Sequence, residues 1–162
     1  MKTILVILLA LLPLTAYSEN KPTHMAASPV DKLYPEIKSL LTQEMQLLEK
    51  GLQSAYPAYI SANWQEVAEI ADKMQNSYIF KQSLSETQKR QLHTTLPASF
   101  IKLDHHFHYL AGMLKHVAEH KKPELVGFYL SKMTETCVEC HAQFASHKFP
   151  GFTADKKAVH SH

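Results

Sequence analysis

Apolar residues recur at intervals of three and four positions through long stretches of this 162-residue chain. This spacing places them on one face of an α-helix, and the sequence contains only four glycines, so it predicts an all-helical protein. The first helix is expected to begin near Pro35 and to end near Tyr56, before a linker from residue 57 to 62. Its predicted buried stripe consists of Ile37, Leu41, Met45, Leu48, Leu52 and Ala55.

Three further helices show the same periodicity. Asn63 followed by Glu66 predicts the capped start of a second helix that runs to about Lys81. Pro97 and Pro123 are expected to open the third and fourth helices, because proline suits the first turn of a helix. The apolar side of the fourth helix carries Val126, Leu130, Met133, Cys137, Cys140, His141 and Phe144.

A polar connection separates the second helix from the third. Within it, Ser85 and Gln88 are expected to cap one or two helical turns. The four long amphipathic helices are joined by connections that are mostly short. They predict an antiparallel four-helix bundle.

The two ends of the chain differ in composition from its middle. Residues 1–18 have a positive start and a short apolar run, and small residues follow, which predicts a secretory signal peptide rather than a membrane span. Residues 19–30 and 151–162 are expected to form flexible arms around a domain from residue 31 to 150. Export favours the periplasm as the compartment, with no stable membrane insertion after the signal is removed.

Charge adds little to this picture. The chain has 17 lysines and arginines against 15 aspartates and glutamates, and its formal net charge is +2. It has no basic stripe of the type that binds nucleic acid. No serine–histidine–acid set, phosphate-binding glycine loop or other catalytic constellation is apparent, so the sequence does not indicate an enzyme.

The most specific motif is Cys137-Val138-Glu139-Cys140-His141, near the end of the fourth helix. Two cysteines separated by two residues, followed directly by histidine, form the pattern that attaches a c-type haem. Each thiol adds to one vinyl group of the porphyrin, and the adjacent imidazole reaches the iron. On a helix all three side chains project from one face.

Other uses of the motif stay open at this point. A thioredoxin-like redox pair requires a βαβ context, and nothing nearby resembles a strand. A structural zinc site requires further ligands, which His116 and His120 could supply from their i, i+4 spacing. A plain disulfide between Cys137 and Cys140 is the third alternative, since they are the only cysteines.

With these motifs in place, the sequence resembles the class II c-type cytochromes, the cytochrome c-prime family. These are exported bacterial four-helix bundles with CxxCH near the end of the last helix. The resemblance covers residues 35–147 and rests most on the position of CxxCH. The matching pieces are Cys137-x-x-Cys140-His141 with Phe144, the Phe100 to Ala111 segment, Glu44-Met45-Gln46, and the Trp64 to Ala71 segment.

The resemblance implies one covalently attached haem c. Cys137 and Cys140 would be the thioether sites, His141 the proximal iron ligand and Met45 the distal ligand from the first helix. Methionine with histidine suits electron transfer. The implied function is that of a periplasmic monohaem electron carrier; the alternative is a five-coordinate haem that binds nitric oxide or carbon monoxide.

The resemblance also bears on partners. The implied partners are redox proteins whose identity the sequence does not give. Homodimers of this family form through the first two helices, where Leu40 and Leu47 are apolar residues expected at the surface.

The run His105-His106-Phe107-His108 invites a metal-site interpretation, but helical geometry argues against one shared site there. His105 and His108 can share a helix face, whereas His106 points elsewhere. His108 is expected to pack near the core in a structural role. His116 and His120 could form an exposed two-histidine contact, but such pairs seldom make a functional metal site.

Overall fold

A computed structural model describes residues 28–149 and 151–154, and of residues 153 and 154 only the backbone. The described residues form helices and contain no strand, so the predicted all-helical class is confirmed. The predicted signal peptide at residues 1–18 lies outside the described residues. The α-helices are α1 Pro35–Ile60, α2 Trp64–Gln75, α3 Phe80–Ser83, α4 Glu86–Thr95, α5 Ala98–Glu119, α6 Pro123–Phe144 and α7 Gly151–Ala154.

Four of these helices are joined by a closed set of contacts. Helix α1 packs on α2, α2 packs on α5, α5 packs on α6, and α6 returns to α1. Their facing stripes bury a first apolar cluster that includes Leu48, Met74, Leu114, Leu130 and Met133. The predicted apolar side of α6 supplies Val126, Leu130 and Met133 to this cluster.

A second apolar cluster lies beside the first and draws on the short helices as well. Its buried members are Leu33, Ile37, Leu84, Leu92, Leu96, Phe100, Leu103 and Phe144. Leu40 packs against this cluster. The expectation that Leu40 is exposed is therefore wrong, and this residue is less available as a dimer contact.

The end of α1 differs from the prediction. The predicted linker from residue 57 to 62 is wrong, because α1 continues through Pro57 to Ile60. Proline removes one backbone donor and crowds the preceding turn. The last turn persists because Ala58 is buried and because the Ser61 hydroxyl donates to the Pro57 carbonyl oxygen at 3.0 Å.

Helix α2 starts as predicted but ends earlier than predicted. The Asn63 side chain accepts a hydrogen bond from the Glu66 backbone N–H, which confirms the cap. The helix stops at Gln75 rather than near Lys81, because Ser77 adopts a left-handed conformation with φ 60°. Residues after it turn away to reach α3.

The connection between α2 and α5 is more helical than expected. Ser85 and Gln88 form the predicted capping box, in which the Gln88 side chain also accepts from the Ser85 backbone N–H at 2.9 Å. Helix α4 then has 10 residues, nearly three turns rather than one or two. Burial of Leu92 in the second cluster explains why it extends.

The last residues of the predicted N-terminal arm are packed rather than loose. Ser28 is buried, and Pro29–Lys32 form a 3₁₀ helix. The Ser28 hydroxyl donates to the carbonyl oxygen of Phe144 at the end of α6. The start of the described chain is therefore tied to the C-terminal end of α6.

A buried carboxylate fixes the segment between α2 and α3. Glu44 is only 2% exposed on α1. Its two oxygens accept backbone N–H hydrogen bonds from Tyr78 at 2.9 Å, Ile79 at 2.8 Å and Phe80 at 3.0 Å. Three backbone donors in this partly buried segment are thereby satisfied.

We expect Glu44→Gln to lower the free energy of unfolding by about 2 kcal/mol, because hydrogen bonds to a charged acceptor are worth about 1.5–3 kcal/mol. Urea unfolding with an unchanged denaturant slope would measure the loss. Glu49→Gln is the matched control, since Glu49 is an exposed acid on the same helix. Equal stability of the two variants would contradict the role of Glu44.

Candidate haem site

The CxxCH motif occupies the last two turns of α6, which ends at Phe144. Cys137 is partly buried and packs against the first apolar cluster. Cys140 is partly buried and packs against the second cluster. The two thiols therefore lie where the two clusters meet, and both are free.

Burial suppresses ionisation of both thiols. It raises the pKa of Cys137 to about 11. It also raises the pKa of Cys140 to about 11, with smaller contributions from Cys137 and from the negative charges of Asp104 and Glu139. Both side chains are consequently neutral thiols at neutral pH, which makes them poor nucleophiles while the chain is folded.

The His141 imidazole is partly buried, and desolvation lowers its pKa, so the ring is neutral and can offer a nitrogen lone pair. The Phe149 ring stacks on it with centroids 4.5 Å apart and planes inclined by 17°. A stacked ring covers the imidazole face but leaves the in-plane lone pair of the nitrogen free. Phe149 therefore restricts the orientation of the ring without blocking a metal bond.

Aromatic packing also holds the end of α6. The Phe144 ring meets Phe100 edge-on, with centroids 5.2 Å apart, inside the second cluster. The Ser28 hydroxyl bond to the Phe144 carbonyl satisfies one acceptor left free at the helix end. Sequence reasoning missed Phe149 and Ser28, because their only signal was a lone aromatic and a lone serine outside the predicted helices.

Helix α5 places a polar pair next to the motif. His108 is buried, as predicted, and its Nδ1 donates to the Met74 carbonyl oxygen at 2.7 Å. Its Nε2 lies 3.4 Å from Oδ1 of Asp104. Burial would raise the pKa of Asp104, but the hydrogen bond and charge of His108, with Lys81 and His105, hold that pKa below its usual value.

Met45 does not lie on the buried stripe. Its side chain is 39% exposed, whereas the preceding Glu44 is buried. The expectation that the Met45 sulfur points into the core is therefore wrong. The physical reason is that Glu44 turns inward to bind the backbone after α2, which rotates Met45 toward the surface. Iron ligation by Met45 stays a prediction.

The alternative zinc site gains no support. Cys137 lies fourteen positions after Pro123 on α6, which is about 20 Å of helix, and His120 lies three positions before Pro123. Among the described residues, no three histidine, cysteine or acidic side chains are grouped so that they could hold a metal ion. His105 and His106 are exposed.

The residues present fit a covalently held haem. Two thiols and a neutral imidazole project from consecutive turns of one helix, and the thiols face apolar surroundings. Such surroundings suit the apolar faces of a porphyrin. No protein-family model matches the chain, and no curated protein and no solved structure is significantly similar to it.

We expect slow alkylation of the two thiols in the reduced, haem-free folded protein. A thiol with a pKa of about 11 is ionised about 100-fold less at pH 8 than one at the ordinary value of 9.0. The higher nucleophilicity of the more basic thiolate offsets part of this difference, so we expect a rate at least about tenfold below that in urea. The rate should still be rising steeply above pH 10.

Iodoacetamide labelling followed by mass measurement would test this expectation. Cys137→Ser leaves only Cys140 to be labelled, and Cys140→Ser leaves only Cys137. The two single variants therefore give the alkylation rate of each thiol separately. A folded-state rate equal to the rate in urea would show that neither thiol is shielded.

Proposed function

We propose that this protein is a periplasmic monohaem c-type cytochrome that carries single electrons. The observation that carries the proposal is the juxtaposition of Cys137, Cys140 and His141 on the last turns of α6, with the thiols against two apolar clusters. The sequence motif specifies only the residue types. The partial burial of the two thiols adds apolar surroundings that suit a porphyrin. In this proposal the protein is a carrier rather than an enzyme.

The proposed architecture is an antiparallel four-helix bundle of the cytochrome c-prime type. The closed set of contacts among α1, α2, α5 and α6 supports it. The short connections from α1 to α2 and from α5 to α6 support opposite directions for those neighbours. The longer connection between α2 and α5 carries α3 and α4, which help to cover the second cluster.

Each residue of the motif has a distinct role in this proposal. Cys137 and Cys140 would hold the haem through thioether bonds, and His141 would be the proximal ligand, oriented by Phe149. When bound, the haem iron supplies reversible one-electron redox chemistry. The two clusters would exclude water and provide the low-dielectric surroundings that tune its potential.

The packing of the thiols implies an order of events. Both thiols are partly buried and un-ionised in the folded chain. Covalent attachment at these positions is therefore favoured before α6 packs, while the thiols are accessible and ionise more readily. Attachment to an unfolded exported chain is consistent with the predicted signal peptide.

Redox proteins are the proposed partners. Encounters of this kind are small and transient, and they bury less than about 1,200 Å². Among the described residues, no helix is both long enough and apolar enough to span a membrane. A homodimer through α1 and α2 stays a prediction, with Leu40 less suited to it than expected.

A second function is favoured by the position of Met45. Because this side chain is exposed and Glu44 is buried beside it, the distal position could lack a protein ligand. The haem would then be five-coordinate and open to nitric oxide or carbon monoxide. The two functions share Cys137, Cys140 and His141 and differ only in the distal ligand.

For the shared site, we expect His141→Ala to alter the visible spectrum of the reduced and oxidised protein while covalent haem is retained, because the proximal bond is lost. His106→Ala is the control, since His106 is an exposed histidine on α5. A spectrum of His141→Ala identical to that of the unaltered protein would reject His141 as the ligand.

For the distal position, we expect Met45→Ala to convert a low-spin haem to high spin and to allow carbon monoxide to bind, if Met45 ligates iron. The neighbouring Gln46→Ala serves as the control, because Gln46 is an exposed residue on the same helix. A high-spin, carbon monoxide-binding spectrum already present in the unaltered protein would favour the five-coordinate function instead.

A further inference from the structure

Two histidines lie together at the end of α5, away from the CxxCH motif. His116 is in the last turn of the helix, and His120 is its C-cap residue. Both side chains are exposed, and their ring centroids are 4.3 Å apart. The i, i+4 spacing holds the two rings on one face of the helix end.

A hydrogen bond selects the tautomer of one ring. Nδ1 of His120 lies 2.8 Å from the backbone carbonyl oxygen of His116. Because a carbonyl oxygen can only accept, Nδ1 must carry the hydrogen, and the neutral ring then presents its lone pair at Nε2. Metal-bound histidines commonly donate their second ring nitrogen to a backbone carbonyl in this way.

The separation of the rings fits one metal ion. Two imidazoles bound at right angles, with metal–nitrogen distances of about 2.0 Å, would have ring centroids about 4.5 Å apart, and a tetrahedral angle would place them about 5 Å apart. The observed 4.3 Å is closer to the right-angled arrangement. Right angles between neighbouring ligands are typical of tetragonal Cu²⁺.

We propose that His116 and His120 form a surface site for a divalent copper ion, with two neighbouring imidazole ligands. Copper has the highest affinity for nitrogen ligands among the divalent metals of its row. No third histidine, cysteine or acid among the described residues completes the set, so the other positions take water or an external ligand. The adjacent Lys121 and Lys122 reduce the affinity by charge repulsion.

This site does not depend on the haem proposal, because α6 carries the motif about 20 Å along its length from the end nearest His120. The test titrates Cu²⁺ into the full chain carrying His160→Ala and His162→Ala, which removes the competing histidines of the C-terminal segment. The backbone amide NMR signals that the paramagnetic ion broadens locate the site, and the titration gives the affinity.

We expect the first equivalent of Cu²⁺ to broaden the backbone amide NMR signals of residues 113–123. His116→Ala should weaken binding at least tenfold, and so should His120→Ala. His116→Ala keeps the backbone carbonyl that accepts the His120 bond, so the helix end is preserved. His106→Ala is the control and should leave the affinity within twofold. Unchanged affinity in His116→Ala, or first broadening elsewhere in the chain, would overturn the site.

Discussion

The structure depends on the burial of one face of α6. That face runs from Val126 through Leu130 and Met133 into the CxxCH motif, so the α6 members of the first cluster and the two cysteine thiols belong to one continuous stripe. The stripe can be buried only if α5 and α1 pack on α6, as they do. Because Cys137 meets one cluster and Cys140 the other, the candidate haem site is a part of the core rather than an addition to it.

Polar contacts then fix what surrounds this stripe. Glu44 holds the backbone after α2, and this segment continues into Phe80, which packs against the second cluster. Ser28 holds the end of α6, and Phe149 restrains the His141 ring. These contacts come from segments distant in sequence, so the surroundings of the motif are specified by tertiary structure more than by α6 itself.

Local sequence patterns predicted the helices and several of their starts. The capping residues Asn63 and Ser85 act as expected, because a cap depends on only three or four neighbouring positions. The ends of α1 and α2 were harder, since they lie next to left-handed Ala62 and Ser77, with no glycine to mark them. The buried Glu44 and exposed Met45 depend on backbone donors more than 30 residues away, which no local periodicity reveals.

The mass of the denatured protein tests the central claim most directly, after expression together with machinery that attaches haem c. We expect one covalently bound haem on the unaltered chain and none on the Cys137→Ser, Cys140→Ser double variant. A chain without covalent haem, from cells that load a known c-type cytochrome normally, would contradict it.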